Sequence, residues 1–404
     1  MALPPANLRS PGELPPRADT VIVGAGIVGI ATAWFLRQYG MDALVIDAAD
    51  GLASRTTSMS AHCIRAQFSE PDSIAMMSES LTFYEDFAHR LGLKARSSPI
   101  HLCQQGYLFA STDPADAPVF ADRVAGQRAA GLDDVELIDG DEVRDRFPWL
   151  SDEIVVATFR GRDGWIDSGL AVEAMAASAG CAIHPGVTVN QILVESGRVT
   201  GITTSAGPVL ADRVVLAAGP FSGALSPEPL PLETIRRHRL IVRSRPGIPQ
   251  AGPVTIDANT GAHWRPHLGG ALMAWAQTEA PGPAVWPVPT DPGFIDLVLH
   301  SDRGVGRLAP FWRDLGPRLG SDDLLLTAGQ YAMTPDHRPL IGKAPVTEGL
   351  YLHTGYSGHG IMGSPAGARL LTDIIASDRD VPNPFSPSRF VHGAPEPPHE
   401  RMVI

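Results

Sequence analysis

Lysine is almost missing from this chain: Lys94 and Lys343 stand alone among 32 basic residues, and all the rest are arginine. Chemistry that turns on a lysine amine therefore has two candidates. Cysteine is scarce and odd in number, and Cys63, Cys103 and Cys181 show no metal-ligand spacing. That favours a reducing compartment, the cytoplasm, and no disulfide framework. No apolar run approaches the ~20 residues a membrane-spanning helix needs. Positive charge is also in deficit, and a net charge of −12 disfavours nucleic acid or an anionic membrane surface as partner. Residues 1–18 are proline-rich without an apolar h-region, so they read as a flexible lead-in and not a signal peptide. What remains is an ordinary globular composition, 44% hydrophobic and 19% charged, in a chain of 404 residues that has room for two domains.

The most informative stretch runs from Thr20 to Asp47. An apolar, β-branched run reads as a buried parallel strand. It enters Gly24-x-Gly26-x-x-Gly29 directly, then a helix pattern from Ile30 to about Tyr39. A second apolar run, Leu44-Val45-Ile46, ends on Asp47, 18 residues after Gly29. This is the strand–turn–helix–strand–acid order of a dinucleotide site. The first glycine makes the tight turn, the second lets backbone approach a pyrophosphate, the third lets helix and strand pack, and the acid takes a ribose hydroxyl. A helix N-terminus there favours the anion. No Gly-Lys-Ser/Thr follows, so a P-loop is excluded.

Further along, apolar residues at helical spacing predict one long helix over residues 73–90. Alternation predicts a strand near 100–109, and a helix is expected over 170–179. A hairpin (191–194 with 201–204) leads into the buried strand 214–216, which ends in Ala217-Ala218-Gly219-Pro220. Small residues there let backbone approach a ligand closely. The region from about 230 to 326 alternates as in an antiparallel sheet. A second glycine-rich turn, Gly355-Tyr356-Ser357-Gly358-His359-Gly360, follows the strand 350–353 and precedes a helix expected from Pro365 to about Ser377. Two such turns far apart imply one extended cofactor lying across the sheet.

Together these residues resemble the D-amino-acid oxidase (DAO) superfamily of FAD-dependent amine oxidoreductases, of the sarcosine and glycine oxidase kind and near the β-subunits of opine and proline dehydrogenases. The matching pieces also include Cys63-Ile64-Arg65, Asp163-Gly164-Trp165-Ile166-Asp167 and Thr334-Pro335-Asp336-His337-Arg338-Pro339, and they span nearly the whole chain. The resemblance implies an α/β fold with an α+β second domain. A Rossmann-like FAD-binding domain would be assembled from residues 19–98, 161–232 and 327–404. A substrate domain with an antiparallel sheet would come from 99–160 and 233–326.

By the same resemblance, Gly24, Gly26, Ile27, Val28, Gly29 and Asp47 would hold the dinucleotide. Ser58, Ser60 and Ala61 would lie near pyrophosphate and flavin, with Val189 at adenine through its backbone. Ala218 and Gly219 would pass close by. Arg338 and the turn Gly355, Ser357, Gly358, Gly360, Ile361 and Met362 would line the pyrimidine side of the flavin. Arg65 matches an arginine that clamps a substrate carboxylate at two points. His62 would receive the amine proton as a neutral imidazole, or else be a packed, hydrogen-bonded histidine. His359 reads first as a structural residue beside the flavin and second as a catalytic one. Tyr331 and Tyr356 would hydrogen-bond substrate or flavin, or fill an aromatic core. Arg265 would support its sheet.

Three departures matter. Gly329 and Met59 stand where relatives attach flavin covalently, so the FAD should be non-covalent. Met362 stands where sarcosine oxidase has a second carboxylate-binding lysine. Met273 falls where a lysine assists oxygen activation, which favours a dehydrogenase slightly over an oxidase. The resemblance thus implies hydride transfer from the C–N carbon of an amino acid or N-alkyl amino acid, giving an imine that hydrolyses. The electron acceptor stays open among O2, a quinone and a partner flavoprotein. The alternative is a non-catalytic or electron-transfer subunit, or an assembly factor, of a larger complex.

Overall fold

The structure is a computed structural model and describes residues 5–93, 99–277, 279–377 and 381–403. Lys94 lies outside the described residues. Two eight-stranded sheets organise the chain.

The first is built on the strand Arg17–Val23, which pairs in parallel with Leu44–Ile46 on one side and with Gly207–Leu216 on the other. Leu350–Thr354 continues the parallel set beyond Gly207–Leu216, and Ile183–His184 continues it beyond Leu44–Ile46. Val21, Ile22, Val45, Val214 and Val215 have no measurable exposure, as a parallel strand covered on both faces requires. The helices Ile27–Gln38, Ser168–Ala179 and Gly360–Ala376 pack together at this sheet. The hairpin Val189–Glu195/Arg198–Thr204 extends Gly207–Leu216.

The second sheet runs in the order Leu324–Met333, Glu233–Val242, Gly270–Trp275, Ala262–His267, Val254–Asp257, Tyr107–Ser111, Val156–Arg160, Glu136–Asp139. Its pairs are antiparallel except that of Val254–Asp257 with Tyr107–Ser111. Side chains alternate between its faces. Leu240, Val242, Trp264 and Met273 fall on one face and pack on Trp312 in an apolar core. The other face turns toward the first sheet's loops, since a Cβ at Gly329 would lie 2.9 Å from Met59 Cβ.

Several elements differ from expectation. Residues expected as a loose lead-in are tied down: Arg9 N–H donates to Ile183 O, Ile183 N–H donates to Asn7 O, and the first strand starts at Arg17. The long helix breaks at Asp86 into Pro71–Glu85 and Phe87–Arg90. The strand expected from residue 100 is confined to Tyr107–Ser111. The last long helix begins at Gly360, so Pro365 sits inside it. A proline there leaves the carbonyl four residues back without its helical partner. The buried Tyr84 hydroxyl fills that gap by donating to Ile361 O at 2.7 Å.

Candidate functional site: an elongated cavity on the first sheet

The glycine turn is held by contacts that only glycine allows. Gly24 has φ +114°, and a Cβ on it would lie 2.5 Å from Ala217 O. At Gly29 a Cβ would meet Gly24 O at 1.9 Å, so helix and strand touch there as the third glycine of the motif requires. Gly26 caps the helix, and Ile27 N–H donates to Thr57 Oγ1 at 3.2 Å. Asp47 receives Ala25 N–H at 2.6 Å and Ala49 N–H at 2.7 Å, which fixes its carboxylate at the end of its strand.

From Asp47 and Val189 a cavity of about 520 Å³ runs past Gly24, Gly26, Ile27 and Val28, then past Ala218 and Gly219. Tyr331 and residues 355–358, 360 and 361 also line it, with Ser60 on its wall. N-termini of the helices Ile27–Gln38 and Gly360–Ala376 both border it, so free N–H groups and helix dipoles present positive potential at two points along one space. That suits a long ligand with a central diphosphate and an electron-accepting ring that gains negative charge on reduction. The buried Nε of Arg55 has no hydrogen-bond partner, and Arg55 lines this cavity near Phe221 and Trp286.

Residues 19–374 match the family described as DAO, FAD dependent oxidoreductase. The chain belongs to that family. Family members depend on FAD, and a glycine cradle, a carboxylate at a strand end and two helix N-termini along one cavity fit that cofactor. The chain is 26% identical to FAD-dependent oxidoreductase domain-containing protein 1 of Xenopus laevis, over 90% of this chain and 80% of that one. It is 24% identical to glycine oxidase of Pseudomonas putida, over 91% of this chain and 98% of that one. Among solved structures, L-proline dehydrogenase from P. horikoshii superposes with a TM-score of 0.82 at 24% identity, covering 94% of this chain and all 100% of that chain. Glycine oxidase from Bacillus cereus superposes at 0.74 with 22% identity, covering 90% and 96%. These superpositions establish the DAO fold.

Several residues assigned by resemblance are not brought to the cavity. Arg65 is 1% exposed, with its guanidinium donating to the carbonyls of Gln67 and Met402 and lying 3.9 Å from the Phe68 ring centre. The C-terminal segment seals it, so it is not placed to clamp a substrate. His359 packs edge-on against Phe68, with Nε2 3.4 Å from Arg65 Nη2. Burial, then the Arg65 charge and His337, hold its pKa well below the imidazole range, so it is a neutral packed group. Arg338 pairs with Asp72 at 2.7 Å instead of facing the cavity. Ser58, Ala61 and Met362 also stand off the lining. The carbonyls of Ser58 and Ser60 take Arg239 Nη1, and Ala61 O takes Arg265 Nε at 3.0 Å. These bonds tie the loop to the second sheet.

Of the aromatic candidates, Tyr356 puts its ring on the cavity wall, but its hydroxyl is 2.7 Å from His353 Nε2. His353 Nδ1 is in turn 2.7 Å from Thr32 Oγ1. This buried chain commits the hydroxyl to the core and not to a ligand. Tyr331 faces the cavity, and its ring occupies the space a Cβ on Gly358 would need. Sequence reasoning missed Arg55, Thr57, Phe221, Trp286 and Gln330, all on the lining. Position alone could have flagged three of them. Arg55 and Thr57 share the loop of Ser58 and Ser60, and Phe221 directly follows Ala217-Ala218-Gly219-Pro220.

Proposed function

We propose that this protein oxidises the C–N bond of an amino acid or N-alkyl amino acid, using FAD held without a covalent link. The observation that carries this reading is the cavity running from Asp47 to Tyr331, which meets the second sheet at its flavin end. Glycine oxidase and L-proline dehydrogenase, to which the chain is similar, are named for such substrates. When bound, FAD supplies the two-electron acceptor, taking hydride from the carbon that bears the nitrogen. The chain's own part is positioning and exclusion of water. Gly24, Gly26 and the helix behind them would seat the diphosphate, Asp47 would take a ribose hydroxyl, and Tyr331 would form the wall where substrate meets flavin.

The nitrogen's proton must leave so that its lone pair forms the imine, and His62 Nε2, 3.2 Å from the donor Arg239 Nη1, is already engaged. Substrate binding as the free amine meets this need. Hydrolysis of the imine then consumes one water and releases amine and carbonyl product. The three free cysteines suit a cytoplasmic setting. Among the described residues no helix is long and apolar enough to cross a membrane. The test is an oxygen-free screen of D-, L- and N-methyl amino acids and opines, scored by bleaching of the visible flavin band and by the carbonyl product. Bleaching by at least one class is expected. Failure of every class would overturn the reading in favour of a non-catalytic or electron-transfer role.

A further inference from the structure

The second sheet turns an unusual face toward the flavin end of the cavity. Arg237 and Arg239 are two apart on Glu233–Val242 and so share that face. Register places Arg237 opposite Gly329 and Arg239 opposite Thr327 and Ala274. Ala274 is in turn opposite His263, which brings His263 and Arg265 to the same face. Positive or neutral nitrogen groups thus cover a surface where an apolar sheet face would ordinarily pack.

No carboxylate lies within ion-pair distance of Arg237, Arg239 or Arg265 among the described residues. The carboxylate acting on Arg237 is that of Glu279, which is engaged by Arg236 at 2.9 Å and His238 at 3.5 Å. Arg265 spends Nε on Ala61 O and Nη1 on Pro266 O. Arg239 spends Nε on Thr327 and Nη1 on Ser58 O, Ser60 O and His62. Its Nη2 has no hydrogen-bond partner among the described residues. Among the described residues Arg237 bonds only Arg236 O, and its Nε is buried without a partner. Burial lowers the affinity of both guanidiniums for their protons, and Arg265 adds to this at Arg239, pushing it down to about 10. They remain charged at neutral pH, Arg239 buried and Arg237 partly so, and such a charge with no counter-charge is costly.

Arg237 and Arg239 open on a chamber of about 30 Å³ beside Tyr331, floored by Gly329. Thr56, Ser60, Gln330 and Tyr331 line this chamber and also the large cavity, so the two adjoin. Its size admits a small head group or a water, and no more.

We propose that this chamber seats a carboxylate of the substrate, held by Arg237 and Arg239 in place of the sealed Arg65. The inference rests on the reading of the protein as an amino-acid oxidoreductase. Guanidinium donors match a carboxylate in both charge and geometry, and the anion would supply the missing counter-charge. A substrate without an acid group would leave the pair uncompensated, so the chamber selects amino acids over simple amines.

The experiment titrates the FAD-loaded protein with propionate and with propanamide, its neutral isostere, following the visible flavin spectrum. Propionate is expected to give a saturable change and propanamide to bind about ten-fold more weakly or worse. Arg237→Met, which sacrifices a single backbone bond, should raise the propionate Kd about ten-fold with FAD content unchanged, whereas Arg65→Met should leave it nearly unchanged. Equal binding of the two probes, no response to propionate, or an unaltered Kd in Arg237→Met would each overturn the proposal. Bleaching by amino acids is read on the same samples. If it persists while propionate shows no preference, only the anion site fails. If it is absent while propionate binds selectively, only the oxidoreductase reading fails.

Discussion

Arg239 Nη1 lies 3.2 Å from His62 Nε2, while His62 Nδ1 lies 2.6 Å from Ser168 Oγ. A guanidinium can only donate, so Nε2 accepts and Nδ1 carries the proton. Burial, then Arg239 and Arg265, depress the His62 pKa to about 3. The ring is neutral, as a base requires, but its lone pair is already used.

The kcat/KM profile should therefore show no enzyme limb in the ordinary imidazole range. It should rise with the ionisation of the substrate amine alone, and His62→Gln should keep its shape. Rates measured from pH 5.5 to 9 check this (roughly the span in which histidine and amine titrations separate). An inflection in the imidazole range that vanishes in His62→Gln would restore His62 as the base.

Acid stability follows from the same burial. His62 and His353 are each held at about 3 against an ordinary 6.5, and His263 at about 4. Above the unfolded value neither state binds the extra proton. As pH falls from 6.5 toward those folded values, the unfolded chain takes protons that the native one refuses, so stability is lost across that window. Each such group contributes up to about 1.4 kcal/mol per pH unit. Urea unfolding at several pH values should show a midpoint falling steadily in this window, with a shallower fall in His353→Gln. A midpoint that does not change would show these rings to be accessible.

Arg65 is expected to act on the fold. Arg65→Met strands the carbonyls of Gln67 and Met402 and should cost about 2–4 kcal/mol in denaturant unfolding. The kcat/KM of the stable fraction should change little. A large kinetic loss with unchanged stability would put the guanidinium back at the substrate.

Covalent attachment can be checked by acid precipitation. Gly329 and Met59, which the resemblance places at the two attachment positions, face one another, with no nucleophile at either. Cys63 is buried, and burial pushes its pKa up. All yellow colour should enter the supernatant. Colour kept in the pellet would reveal an attachment through His62 or Cys63.

What the sequence made legible was local. The first strand, turn, helix and Asp47 lie within thirty-odd residues (about one supersecondary unit) and dictate their own geometry. The hairpin before Gly207–Leu216 and the turn after Leu350–Thr354 could be read for the same reason. Arg65 could not be, because its partner Met402 comes from the far end of the chain, and no local pattern announces a carbonyl arriving there. The convergence of Arg237, Arg239 and Arg265 is equally non-local, since it depends on the register of three strands. Pro365 misled because the compensating Tyr84 hydroxyl lies on another helix.

Whether the cavity behind the first glycine turn holds FAD is decided most directly by Gly26→Leu. A Cβ at Gly26 would come within 3.2 Å of Thr57 Oγ1, which already receives Ile27 N–H, and the rest of the side chain would enter the space meant for the diphosphate. Flavin content per chain is measured beside the circular dichroism and unfolding midpoint of the same preparation. A folded, colourless protein that added FAD does not restore is expected. A folded Gly26→Leu variant that purifies yellow with a full complement of FAD would contradict that expectation.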